Sequence, residues 1–271
     1  MGLMFIIGVV ISLMIIGAIA GVLAGLLGVG GGIILVPAFF FGFTFIGFQS
    51  PQLMQLCLAT SLATIIVTSL RSVMAHHRKG AVEWQILRDW TPGIVVGAAI
   101  GVWIAASLQS QALQMIFGVL GMIVGVYMAV GKMTWRAGDA MPSGPLRWIM
   151  SPIVGFLSVL MGIGGGSFGV PIMTLFNVPI HRAVATAAGF GVIIAVPSVI
   201  GFMFVDVKGA PPWSIGAVNI PAFALIVMMT MLTAPYGAAL AHRLDPKPLK
   251  RVFGAFLIIV ALNMLRKALG W

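Results

Sequence analysis

The chain has 271 residues, of which 61% are hydrophobic and only 7% charged. A soluble domain carries about 25% charged residues, so this composition, with a mean hydropathy of +1.15, excludes one and specifies an integral membrane protein. The net charge of +10 falls in short loops beside apolar stretches, which is the positive-inside pattern and excludes nucleic acid as a partner.

The apolar stretches run well past ten residues without the alternation of a membrane strand. The expected fold is therefore all-α, a polytopic transmembrane helical bundle rather than a barrel. In chain order the stretches fall at 3–27, 29–46, 52–75, 91–108, 112–131, 147–163, 164–178, 183–205, 215–241 and 249–265. The first lacks the basic n-region and polar cleavage site of a signal peptide, so it is expected to be retained. The most polar interruption, Lys132 to Arg147, carries Asp139, Pro142, Ser143, Gly144 and Pro145. It divides the chain into a first repeat at 1–131, a linker at 132–146 and a second repeat at 147–271.

The repeat is legible in three blocks. Gly30-Gly31-Gly32 and Pro37 return as Gly164-Gly165-Gly166 and Pro171 at an offset of 134. Ala59-Thr60 returns as Ala185-Thr186 at 126, and Gly101, Leu108, Leu113, Phe117 and Gly118 return as Gly237, Leu244, Leu249, Phe253 and Gly254 at 136. Counting Lys and Arg tests the orientation. If each glycine-rich pair enters and leaves on one side, twelve basic residues share one face and Lys208, Arg266 and Lys267 the other. A single crossing per pair splits them ten to five. The first arrangement obeys the positive-inside rule better, and it inverts the halves, as in transporters whose broken helices meet near the midplane.

Glycine in a helix interior costs about 1 kcal/mol against alanine and proline about 3, and in a bilayer a freed backbone group has no water to turn to. Gly17, Gly21, Gly25, Gly97, Gly101, Gly121 and Gly125 read as close helix packing. Three consecutive glycines and a proline, twice, exceed what packing requires. They point to unwound backbone whose N–H groups meet an anion at a helix N-terminus. The candidate site therefore comprises Gly30, Gly31, Gly32 and Pro37 with Gly164, Gly165, Gly166, Ser167 and Pro171. Thr60, Ser61, Thr64 and Thr186 add hydroxyls, while His181, Arg182 and Arg71 stand at the mouth.

Three other matches carry nothing. Gly164-x-Gly166-x-x-Gly169 lacks the preceding strand and following acid of a dinucleotide site. Cys57, the single cysteine, excludes an internal disulfide and a cysteine-rich metal site. His76-His77, adjacent on a basic stretch, is a poor metal pair and reads as solvated.

The carboxylates Glu83, Asp89, Asp139, Asp206 and Asp245 all fall in or beside loops. A buried cation needs a counter-charge, so a neutral or anionic substrate fits better than a metal or proton. No hydrolase motif is present, so the chain does not read as an enzyme, and neither metal nor cofactor is expected.

With Gly-x-Gly-Gly-Gly and Pro in each half, Ala59-Thr60-Ser61 after the first and Ala185-Thr186 after the second, the chain resembles the TauE/SafE sulfite exporter family over Leu3 to Lys267. The resemblance implies a bacterial inner-membrane permease for sulfite, sulfonates or related organic anions. Ala187 stands where the family pattern expects a serine, which removes a hydroxyl from one half. The expected partners are a small anionic substrate and the lipid bilayer, with a homodimer left open. A channel and a non-transporting assembly partner are the alternatives to a carrier working by alternating access.

Overall fold

The computed structural model describes residues 3–27, 32–130, 136–241 and 246–270. Gly30, Gly31, Lys132, Arg243 and Asp245 lie outside the described residues. Within them the chain forms ten helices: α1 (Leu3–Leu27), α2 (Gly32–Phe45), α3 (Leu53–Arg78), α4 (Trp84–Ser107), α5 (Ser110–Val130), α6 (Gly144–Leu160), α7 (Gly166–Leu175), α8 (Ile180–Phe202), α9 (Ile220–Ala241) and α10 (Pro246–Ala268). A two-residue hairpin, β1 (Ser214–Ile215) and β2 (Val218–Asn219), precedes α9.

Each apolar stretch became a helix. Helix α4 starts seven residues earlier than its apolar stretch, because Trp84 to Trp90 continue the helix on a face where Leu87 and Trp90 are buried. Five helices among the described residues are long and apolar enough to cross a membrane: α3, α4, α5, α8 and most of α9. Helix α7, with 10 residues, is about 15 Å long, half a hydrocarbon core.

Helices α3 and α8 pair at the centre, and α3 is buried without a break from Leu53 to Ile65. Around them α1 packs on α9, α4 on α6, and α5 on α10. Glycines set the close approaches. Gly17 and Gly21 receive α9, Gly97 and Gly101 receive α6, and Gly121 and Gly125 receive α10, where an added Cβ would crowd the partner helix. The order of these contacts makes α1 parallel to α9 and α4 parallel to α6, while α5 and α10 run antiparallel. Exchanging each of the first five helices for the one five places later returns the same set of pairs.

Two ends follow. At one, Arg182 pairs with Glu83, Arg147 lies 3.5 Å from Asp89, and Ala137 donates its N–H to the Leu175 carbonyl at the end of α7. Since Ala137 leads directly into α6, the α6–α7 pair enters and leaves at this end. At the other end Gln55 donates to the Ala105 and Leu108 carbonyls, Gln111 to Ala268, and Ser50 to Lys208. There Lys267 Nζ stands 5.2 and 4.7 Å from the Phe40 and Phe41 ring centres, a cation–π contact that ties α10 to α2.

Candidate functional site

The second glycine run does three things in sequence. Gly162 ends α6: its N–H bonds the Val159 carbonyl at 2.9 Å and Ile163 N–H bonds Ser158 at 2.9 Å, with Gly162 at φ +60°. These are the two bonds of a Schellman cap, whose left-handed residue favours glycine. Ile163 to Gly165 then turn the chain, and Gly166 opens α7. Glycine at 165 is dictated by packing, because a Cβ there would strike Phe190 and sit 2.8 Å from the Ala187 carbonyl oxygen of α8.

The described end of the first run meets this turn. A Cβ on Gly32, the first residue of α2, would lie 2.9 Å from Ile163 Cα, 3.1 Å from Gly162 O and 2.7 Å from Ile65 Cδ1. The described beginning of α2 therefore packs against the turn that leads into α7, in the buried middle of the bundle. The first N–H groups of any helix have no partner within it: Gly169 bonds the Gly165 carbonyl at 2.8 Å, and Gly166, Ser167 and Phe168 have no backbone acceptor among the described residues. Ser167 is 7% exposed, and its hydroxyl has no hydrogen-bond partner among the described residues. Across the turn lie Gly191 of α8 and Ser69 of α3: a Cβ on Gly164 would be 3.8 Å from Gly191 Cα and 3.9 Å from Ser69 Oγ.

The hydroxyls predicted beside the glycines have specific partners. Ser61 donates to Gly162 O at 2.8 Å, so α3 holds the α6–α7 turn, and Thr64 donates back to Ser61 O at 2.6 Å. Both protons are thus committed to carbonyls, and an anion would meet only their lone pairs. Thr60 accepts the Asn219 N–H at 3.1 Å, immediately before α9, and Thr186 accepts the Glu83 N–H at 2.9 Å, immediately before α4. Each threonine thus anchors the start of a helix from the other half.

Ser69 meets Gly191, and α3 and α8 run antiparallel, so Thr60 and Thr186 stand roughly 20 Å apart along the helix axes. One small anion cannot touch both, which corrects their placement in a single binding shell. Pro37 and Pro171 lie within α2 and α7, Pro37 buried and Pro171 half-buried.

Arg71, His181 and Arg182 are exposed, and Arg182 is neutralised by the Glu83 carboxylate. His77 is not simply solvated: its Nδ1 accepts the Trp84 indole N–H at 3.1 Å. No group of His, Cys, Asp and Glu suited to a metal exists among the described residues.

Asn219 was not visible in the sequence as a structural residue. It caps α9 by accepting the Ala222 N–H at 3.0 Å, while its amide donates to Ser214 Oγ at 3.0 Å. Its signal was its position, 136 residues after Glu83, the same offset that relates α4 to α9.

The profile of the family described as Sulfite exporter TauE/SafE matches residues 13–264 of this chain. The chain is similar to a probable membrane transporter protein of Haemophilus influenzae, 32% identical over 94% of this chain and 97% of that protein. It is similar also to one of Methanocaldococcus jannaschii, 27% identical over 93% and 94% of the two chains. A third, YunE of Bacillus subtilis, is 26% identical over 94% and 97%. No solved structure matches.

Proposed function

From the premise that this chain belongs to the TauE/SafE sulfite exporter family, we propose that it carries small anions such as sulfite, sulfonates or related organic acids across a bacterial inner membrane by alternating access. That it is a multi-pass membrane protein of a transporter family follows from the match and the five candidate spans. The anion is the further step. One observation carries it: α7 begins in the buried middle, beside the turn on which Gly32 packs, with its first N–H groups and the Ser167 hydroxyl unpartnered among the described residues. Helix N-termini favour negative charge, and the site holds no carboxylate that would repel it.

The proposed site is Gly164, Gly165, Gly166 and Ser167 with Gly32 packed on the turn; Gly30 and Gly31, expected there from the sequence, lie outside the described residues. Ser61 and Thr64 act as supports for the turn. Two inverted repeats, divided at 132–146, supply the alternation. The self-exchanging set of helix pairs and the location of Arg78, Arg88, Arg136, Arg147 and Arg182 at one end support that reading. The arginine-rich end is then cytoplasmic.

The test is uptake of labelled sulfite by proteoliposomes of the purified protein, with taurine, sulfoacetate, sulfate and lactate as competitors in turn. Saturable uptake that a competitor suppresses is expected. Uptake linear in concentration identifies a channel. No uptake under an anion gradient, a proton gradient or an imposed potential refutes the proposal and leaves the glycine turns as a packing device.

A further inference from the structure

We infer that the site takes anions of one negative charge and discriminates against dianions of the same shape. The inference rests on the anion-carrier reading and adds the charge of the cargo. Every buried polar side chain among the described residues is uncharged. The arginines nearest in sequence, Arg71 and Arg182, are exposed, and Arg182 already has Glu83 as its counter-ion. Among the described residues, what the turn offers an anion is therefore dipolar: the start of α7 and the Ser167 hydroxyl.

A helix N-terminus acts as roughly half a positive charge, so the start of α7 offsets part of one negative charge. Desolvation decides the rest. The Born cost of removing an ion from water rises with the square of its charge, so a dianion incurs about four times the penalty of a monoanion. Its attraction to the same fixed dipoles only doubles, because that term is linear in charge. The fixed dipoles therefore offset a larger share of a monoanion's desolvation than of a dianion's, unless a cation travels with the dianion.

The halves contribute unequally. At the offset relating the two runs, Ser167 corresponds to Ile33, so this hydroxyl has no counterpart in the first half. It binds one oxygen of the cargo, and the start of α7 holds the others.

Methanesulfonate and sulfate test the inference, being tetrahedral sulfur oxyanions of fixed charge, one and two. In wild-type proteoliposomes taking up labelled sulfite at constant ionic strength, methanesulfonate is expected to compete at a concentration at least tenfold below that of sulfate. Sulfate competing equally or better overturns the inference and leaves the carrier reading intact, as does failure of both to compete. Absence of sulfite uptake instead removes the carrier reading itself. Ser167→Ala should raise the half-inhibitory methanesulfonate concentration about fivefold, the worth of one neutral hydrogen bond, and Ser167→Thr should restore it. Thermal unfolding of both variants checks the fold. An unchanged value in a folded Ser167→Ala protein takes the hydroxyl out of the site.

Discussion

Replacing Thr60 by valine exchanges one hydroxyl for a methyl of nearly the same size, so the perturbation is electrostatic rather than steric. The residue is 0% exposed and Asn219, whose N–H it receives, is 4% exposed. Without the hydroxyl that N–H is buried with no acceptor and no water, which costs about 1–3 kcal/mol. The matched change, Thr186→Val, releases the Glu83 N–H. Glu83 is only half-buried at the arginine-rich end, where water can replace the lost partner, so the expected loss is about 0.5–1.5 kcal/mol. Thermal or denaturant unfolding of the two variants in one detergent gives the ordering, and amide exchange at Asn219 and Glu83 reads the bonds directly. Thr60→Val should be the more destabilising and should speed exchange at Asn219. A Thr186→Val protein as unstable as Thr60→Val would refute the reasoning from burial.

Ser61→Ala frees the Gly162 carbonyl and should lower stability by about 1 kcal/mol, with a loss of sulfite uptake several times larger than that of Thr64→Val. The two are compared in one uptake series. Gly97→Ala sets a Cβ against the Pro152 backbone and should destabilise by about 1–3 kcal/mol through overpacking of α4 on α6, measured by unfolding. Arg182→Gln breaks a partly exposed ion pair and should change stability by less than about 1 kcal/mol. An uptake rate near wild type in that variant would confirm that the arginine is not part of the binding shell.

Hydropathy alone determined that the chain is a helical membrane bundle, because a bilayer admits only elements that satisfy their own backbone, and the apolar stretches have helical length. Composition likewise kept ionised groups at the ends, and the glycine runs were legible as breaks because glycine and proline are costly inside helices. The tertiary structure decided what those breaks do. That Gly162 caps α6 while Gly166 opens α7 depends on a left-handed residue and two carbonyls, which spacing does not encode. Thr60 and Thr186 looked like a matched pair of ligands, since sequence shows equivalence but not direction. Antiparallel packing of α3 and α8 sends them to opposite depths, each to hold a helix start in the other half. Ser167 was one hydroxyl among several in the sequence. Packing set it, like Ser158, apart from Ser61 and Thr64: those two bond carbonyls, while its buried hydroxyl finds no partner among the described residues.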